Sequence, residues 1–304
     1  MTSIAHALLK AQSRALERLD AQLLLLHALG RSAHDRAWLL AHDTDALAIE
    51  VQTAFDALAL RRASGEPLAY LTGHQEFFGL DLQVDARVLV PRPDTETLVE
   101  WALEVLDTRD AAEPASPGRW YRPLEGEAPQ ALRGESISVI DLGTGSGAVA
   151  LALKHTRPTL RVTATDASAG ALQVARANAA RLQLPIEFIQ GSWLTTIEGR
   201  YHAIVSNPPY IAAHDRHLIN LTHEPLQALA SGDDGLHDIR QIIVQARAHL
   251  HPGGWLLLEH GYDQAAAVRN LLANAGLDEV QSRRDLSGIE RCSGGRAPPA
   301  THDA

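Results

Sequence analysis

Asn207-Pro208-Pro209-Tyr210 closes the apolar run Tyr201, Ala203, Ile204, Val205, and its residue types suit the methylation of a planar nitrogen. The Asn207 side-chain oxygen and a main-chain carbonyl of the prolines are two fixed acceptors able to grip one NH2 group. The Tyr210 face can stack on the group that carries it. Proline stiffness sets this geometry before substrate arrives, which is how orientation becomes catalytic advantage. Asn207, Pro208 and Tyr210 are therefore the candidate catalytic residues, and Asn207, Pro208, Pro209 and Tyr210 together the candidate substrate grip. The same tetrapeptide also reads as an ordinary turn after a buried strand. Its weight depends on its upstream partner.

That partner is Val139-Ile140-Asp141-Leu142-Gly143-Thr144-Gly145-Ser146-Gly147, running into the apolar stretch Ala148 to Leu153. A β-branched run, a glycine-rich turn and an alanine and leucine stretch predict strand, loop and helix in that order. Gly143, Gly145 and Gly147 let the backbone approach a ligand without interference from a Cβ. The next apolar run, Arg161 to Thr165, ends in Asp166, a carboxylate placed to bind both hydroxyls of a ribose. Together these make a nucleoside-binding unit. Gly143, Gly145 and Ala148 also satisfy the looser dinucleotide fingerprint, so a nicotinamide-dependent oxidoreductase stays in view. Against it stand the Gly-x-Gly-x-Gly spacing after Asp141 and the Asn-Pro-Pro-Tyr turn, which hydride transfer does not explain. In a doubly wound sheet both sites lie at carboxyl ends of strands and can face one crevice.

The elements that must position these residues follow from the rest of the chain. Its 304 residues are ample for a substantial core and suggest two domains. Ile4, Leu8, Leu9, Leu16, Leu19, Leu23 and Leu26 recur at helical spacing up to Gly30, and Ala37 to His42 and Glu50 to Arg62 predict two further helices. Residues 1–75 thus form a small helical domain covering one side of the crevice. Alternation at Phe78, Leu80, Leu82 and Val84, a turn at Asp85-Ala86, and a return at Val88 and Val90 predict a β-hairpin linker over 76–93. Pro91-Arg92-Pro93-Asp94-Thr95-Glu96 then leads into an apolar helix pattern. Asp94 or Thr95 is expected to cap that helix, while Arg92, held between prolines, is placed to line the site or pair across the domain boundary.

Residues 107–135 lack periodicity and carry Pro114, Pro117, Pro123 and Pro129, which predicts a flexible insertion; Trp120 and Tyr121 lie within it. Strands are expected at 137–141, 160–165, 186–189, 201–206 and 254–259, helices at 147–155, 168–182, 236–250 and 263–275, and a strand pair between 277 and 293. This alternation implies a mostly parallel sheet with helices on both faces. The catalytic domain is expected over 94–295, with a disordered tail over 296–304.

Composition narrows the function. A net charge of -10, from 27 basic against 37 acidic residues, argues against a long nucleic acid as substrate. The single cysteine, Cys292, fits a reducing compartment. Met1 to Lys10 lacks a basic region followed by an apolar core, and the Leu23 to Leu26 run is far too short to span a membrane, so a cytoplasmic location is expected. His214, His217 and His223 cluster in sequence without a known ligand spacing, and no metal is expected.

At this point the residues carry a family resemblance. The chain resembles the peptide chain release factor glutamine N5-methyltransferases (HemK/PrmC), within the class I, seven-strand S-adenosylmethionine-dependent methyltransferases of Rossmann-like fold. The marks are Gly65-Glu66-Pro67 with Tyr70 and Gly73, Glu76-Phe77-Phe78-Gly79, Pro91 to Glu96, the Asp141 to Gly147 loop, Asn207 to Ile211, Glu224-Pro225 and Gly232 to Leu236. The resemblance implies that Gly143, Thr144, Gly145, Ser146 and Gly147 bind the methionine end of S-adenosylmethionine, Asp166 the ribose, and Trp193 the adenine. Asn207 borders both ligands, and Asn207 to Tyr210 hold the glutamine of a Gly-Gly-Gln motif in class I release factors. The implied enzyme is a monomer without nucleic-acid or membrane partners. Ser192 and His202 depart from the family pattern, where aspartates are usual, and altered cofactor affinity is expected from them. The alternatives are a ribosomal-protein glutamine methyltransferase, an adenine N6-methyltransferase, which uses the same turn on an exocyclic amine, and a non-catalytic cofactor-binding module.

Overall fold

The computed structural model describes residues 2–110 and 136–299. Most of the expected insertion, with Trp120 and Tyr121, and the last five residues lie outside them. The N-terminal region contains α1 (Ile4–Gln12), α2 (Arg18–Ala28), α3 (Arg36–Ala41), α4 (Ile49–Ala63) and α5 (Leu68–Thr72). The expected first helical stripe is two helices. Ala15 turns the chain with a φ of 64°, and Leu16 is buried at the corner, so α1 and α2 share the apolar residues of one stripe. Ile4, Leu24, Leu25, Leu39 and Phe55 form the core of this bundle. Ion pairs Arg62–Asp20 and Lys10–Asp56 cross its surface.

The hairpin differs from the expected one. Strands β1 (His74–Phe77) and β2 (Leu80–Gln83) pair antiparallel around Phe78-Gly79, not around Asp85-Ala86. Phe78 and Gly79 both adopt positive φ, 51° and 77°, the geometry that a two-residue hairpin turn demands. A bulky residue reaches that region at a cost, and two carboxylates offset it: Glu96 accepts from the Phe78 N–H at 3.0 Å and Glu76 from the Gly79 N–H at 2.7 Å. Two separated sequence marks are thus one structural unit. Val88 and Val90 do not return to the hairpin. They pack with Ala69, Ala171 and Val174, joining α5 to the catalytic domain.

After α6 (Glu96–Asp110) the chain builds β3 (Ser138–Leu142), α7 (Ala148–Thr156), β4 (Arg161–Asp166), α8 (Ala169–Leu182), β5 (Glu187–Gln190), β6 (Tyr201–Ser206), α9 (His237–His249), β7 (Leu250–Glu259), α10 (Ala265–Asn274), β8 (Asp278–Arg284) and β9 (Glu290–Arg296). The sheet order is β5-β4-β3-β6-β7-β9-β8. The first five strands in that order are parallel and β9 runs antiparallel to both neighbours. β3 is buried along its whole length, with Val139 packed on one face of the sheet and Ile140 and Leu142 on the other. Helices α6 and α7 cover one face, where Trp101 meets Trp255, and α9 and α10 cover the other.

The start of the expected tail, at Arg296 and Ala297, is held by backbone pairing. Arg296 ends β9, and the Ala297 N–H donates to the Gly254 carbonyl at 2.7 Å while its own carbonyl accepts from Gly253. Backbone pairing with the start of β7 holds residues that composition alone marks as loose.

Candidate active site

The chain order switches direction between β4-β3 and β6, so the carboxyl ends of these strands splay around a crevice. A cavity of about 270 Å³ opens there. Gly143, Thr144, Gly145, Ser146, Asp166 and Trp193 line it, and so do Asn207 and Pro209 from the end of β6. Residues from four separated segments, three of them expected to bind the nucleoside cofactor and one an NH2 group, thus meet on one space. Gly147, Pro208 and Tyr210 lie outside the lining. Gly147 sits at φ 87° as the first residue before α7, and a Cβ there would press on Leu151 and Ala175. Its requirement for glycine comes from the left-handed backbone together with helix packing.

The loop backbone is arranged by buried acids. Asp141 accepts from the Thr144 hydroxyl at 2.6 Å and from the Ala150 N–H at 3.2 Å. Asp166 accepts from the Gly145 N–H at 2.9 Å and from the Ser168 N–H at 2.8 Å. Burial pushes the Asp141 carboxyl up to about 7 against the pull of these donors, and neighbouring Asp166 adds to the rise. Burial raises Asp166 too. The cations bordering the same cavity are engaged elsewhere, Arg87 with Asp85 and Arg92 with Glu224. Desolvated carboxylates beside a glycine loop suit a ligand that carries positive charge and hydroxyls. A pyrophosphate fits that surrounding poorly.

Raised carboxyl pKa values have a stability consequence whose sign is fixed by linkage. The folded value lies above the unfolded one, so the contribution is present below the ordinary carboxylate range and is lost as pH rises through about 7. Asp141→Asn keeps the acceptor for Thr144 and Ala150 and removes the titration. The melting temperature of the cofactor-free variant should therefore fall less than that of the wild type between about pH 5 and about pH 8. Equal slopes would show that burial is not what shifts Asp141.

Asn207 is held through its nitrogen. Its Nδ2 donates to the Thr95 hydroxyl at 3.1 Å, and Thr95 itself is buried. Thr95 was expected as a helix cap, as was Asp94. Neither plays that part: Asp94 pairs with Arg291 at 3.3 Å, and a short 3-10 turn over Pro93–Thr95 feeds directly into α6. Capping and long-range bonding use the same hydroxyl chemistry, so sequence proximity favoured the local reading. Arg92 does both things expected of it, lining the cavity and pairing with the buried Glu224, whose second oxygen accepts from the Val90 N–H.

The turn itself is braced from behind. The Asn207-Pro208 and Pro208-Pro209 peptides are trans. Ile211 exchanges backbone hydrogen bonds with Leu229 and Ser231, and Gln264 donates to the Tyr210 carbonyl at 3.0 Å. Gly235, in the Gly232 to Leu236 mark, has a φ of 74°, and an added Cβ would land on the Tyr210 carbonyl. Gly235→Ala should therefore displace the turn. The expected result is a loss of turnover of roughly tenfold or more, with a lower melting temperature, since both backbone strain and a steric clash must be relieved. Unchanged turnover would show that the turn tolerates the shift.

Tyr210 is mostly buried, packs with the α9 and α10 side of the core, and aims its hydroxyl at Glu259 at 3.5 Å. Burial and the Glu259 charge raise its pKa. Trp193 has a φ of 51° and lays its ring against Gly143, where a Cβ would lie 3.2 Å from Cζ3. Ser192 borders the cavity beside it. His202 does not: it sits at the start of β6, roughly 16 Å from Asn207 by strand rise. There it accepts from the Ser138 N–H at 3.0 Å through Nδ1, the acceptor role that an aspartate could also fill. His214, His217 and His223 diverge to separate partners: His217 bonds Asp215, and His223 bonds the Ser64 carbonyl.

Comparison with known proteins bears on this site. Residues 3–73 match the PrmC N-terminal domain, and residues 129–274 match the Methyltransferase small domain. A release factor glutamine methyltransferase of Burkholderia pseudomallei is 46% identical over 93% of this chain and 93% of its own length. That of Bordetella pertussis is 47% identical over 92% and 95%, and that of Escherichia coli 40% over 96% and 97%. Among solved structures, the hMettl16 catalytic domain superposes with a TM-score of 0.53 at 16% identity, covering 81% of this chain and 83% of its own. The human methyltransferase 10 domain containing protein gives 0.50 at 16%, over 80% and 97%. These two share the fold alone. With relatives this similar along nearly its whole length, the chain belongs to the release factor glutamine methyltransferase family.

Proposed function

We propose that this chain transfers a methyl group from S-adenosylmethionine to the side-chain amide nitrogen, N5, of the glutamine in the Gly-Gly-Gln motif of class I release factors, supporting translation termination. One observation carries the reading. The Asn207 carboxamide, fixed through its nitrogen by Thr95, borders the same cavity as the glycine loop and Asp166. Residues Gly143 to Ser146 would hold the methionine end, Asp166 the ribose and Trp193 the adenine. The acidic surroundings fit a cationic cofactor. When bound, S-adenosylmethionine supplies an electrophilic methyl on a positively charged sulfur.

The protein's own work is alignment. A glutamine amide nitrogen is a poor nucleophile because its lone pair is delocalised into the carbonyl. Asn207 Oδ1 and the Pro208 carbonyl accept its two N–H bonds, which favours a pyramidal nitrogen with the lone pair directed at the methyl. The Pro208 carbonyl takes no hydrogen bond among the described residues, so it is available for this. Catalysis then rests on orientation and electrostatics more than on a strong base. The N-terminal bundle, joined to the site by α5 and by His223 against Ser64, shapes the surface that meets the release factor. The enzyme acts as a monomer in the cytoplasm.

The test is mass spectrometry of release factor incubated with this protein and labelled cofactor. One added methyl on the glutamine of the Gly-Gly-Gln loop is expected. Label found on ribosomal protein or nucleic acid and not on release factor would overturn the assignment.

A further inference from the structure

Gln264 occupies the N-cap position of α10, where a short polar side chain usually accepts a hydrogen bond from the first turn of its own helix. It makes no such bond. Its carboxamide reaches back and across instead. Oε1 accepts from the Gly261 N–H at 2.8 Å, while Nε2 donates to the Tyr210 carbonyl at 3.0 Å and to the Asp234 carbonyl at 3.4 Å. All three partners are backbone groups of fixed polarity, since an N–H can only give and a carbonyl can only take. The carboxamide therefore has one orientation, and it joins three segments: the loop after β7, the turn after β6 and the loop ahead of α9.

Two glycines make room for it. A Cβ on Gly235 would land on the Tyr210 carbonyl oxygen and lie 2.7 Å from Nε2, crowding both ends of their hydrogen bond. A Cβ on Gly261 would press on the other end of the carboxamide, 3.0 Å from Oε1. The φ of Gly261 is not positive, so space for the Gln264 side chain, and not backbone conformation, is what calls for glycine there.

We propose that Gln264 is a positioning residue for methyl transfer: by tying the Tyr210 carbonyl to the β7–α10 loop it sets the peptide plane that closes the turn, and so holds Asn207, Pro208 and the Tyr210 ring in register with the cofactor cavity. This rests on the reading of Asn207 to Tyr210 as the glutamine grip. Pro208 and Pro209 have no N–H and cannot anchor the turn by donors of their own. Its ends are fixed instead, by Thr95 on Asn207 and by Gln264 on Tyr210, with Ile211 paired just beyond.

The polarity of this contact can be reversed and restored. In Gln264→Glu one oxygen still accepts from Gly261, but the other sets a carboxylate against the Tyr210 and Asp234 carbonyls. Protonation brings the donor back, because a carboxylic O–H can give to the Tyr210 carbonyl as the amide did. Those carbonyl dipoles hold the introduced group above the ordinary glutamate value, so the donor returns as pH falls. Around the position stand Asp263, the Asp234–Arg240 pair, His260, whose Nδ1 bonds the Gly261 carbonyl, and Tyr210, whose hydroxyl faces Glu259. Wild type carries the same groups, and the ratio of variant to wild-type kcat removes their titration.

The experiment uses the full chain with intact release factor and saturating cofactor, in wild type, Gln264→Glu and Gln264→Met, the last keeping length and bulk without a donor. Near pH 8 both variants should lower kcat about ten- to a hundredfold, the scale of misaligning a bound reactant, with KM and cofactor Kd within about twofold. From about pH 8 to about pH 5.5 the kcat ratio of Gln264→Glu should climb about fivefold or more, and that of Gln264→Met should stay flat. Wild-type kcat in Gln264→Met overturns the proposal, because packing alone then suffices, and so does a Gln264→Glu ratio that ignores pH. NMR reads the contact without turnover. The Gln264 NH2 protons should lie next to the Gly235 Hα protons in wild type, a measurement that stands even where a variant does not fold. The Tyr210 carbonyl-carbon resonance should shift in both variants and return toward wild type in Gln264→Glu at low pH. A missing contact or an unmoved resonance overturns the inference, whereas a wild type that leaves glutamine unmethylated overturns only the functional reading.

Discussion

Asn207→Ala should reduce turnover by about a hundredfold or more while cofactor affinity stays within a few fold of wild type. The substitution removes the acceptor proposed to grip the substrate NH2 group, and losing one oriented contact of this kind costs on the order of 3 kcal/mol in the barrier. The glycine loop and Asp166 belong to other strands and keep their own hydrogen bonds, so the nucleoside end of the cavity is untouched. Single-turnover kinetics with release factor and calorimetry with S-adenosylmethionine separate the two effects. Turnover that survives the change would remove Asn207 from the mechanism, and Tyr210 and the prolines could not replace its role alone. A cofactor Kd that rises in step with the loss of turnover would place Asn207 on the cofactor instead.

The second large effect belongs to Asp166→Ala, with the opposite division. Asp166 holds the Gly145 and Ser168 N–H groups and presents its carboxylate to the cavity. Removing it leaves the Gly145 N–H without its charged acceptor and takes away the proposed ribose contact. A hydrogen bond to a charged group contributes roughly 1.5–3 kcal/mol, so cofactor Kd should rise about ten- to a hundredfold. At saturating cofactor kcat should recover toward wild type, because the Asn207 side is unchanged. Calorimetry reads the Kd directly. An unaltered Kd would mean that Asp166 serves the loop backbone and not the ligand.

Much of this arrangement is legible in the sequence. Short runs rich in β-branched and apolar residues, ending in a glycine loop at β3, in Asp166 at β4 and in Asn207-Pro208 at β6, mark these strands within a residue of their observed bounds. The convergence of the 143–146 loop, Asp166 and Asn207 followed from the rule that ligand sites lie at carboxyl ends of strands. The misplaced features have a common cause. Val88 and Val90 carry strand-like alternation, yet their burial comes from α5 and α8, which are distant in sequence. The Phe78-Gly79 turn lacks a conventional signal because Glu76 and Glu96 stabilise it from outside the dipeptide. The first helical stripe hides a corner at Ala15 because neither glycine nor proline marks it.

The sequence by itself determined the doubly wound class, the glycine loop, the acid after β4 and the amide-gripping turn, since each is a local pattern of residue types with a local physical reason. Tertiary structure alone decided how the turn is oriented. Thr95 reads as a cap, and it is far from Asn207 in the chain. Folding brings the buried Thr95 hydroxyl, at the start of α6, to the Asn207 amide at the end of β6. Two residues 112 apart in the chain share no local pattern, so only the packing of the layers decides that they meet.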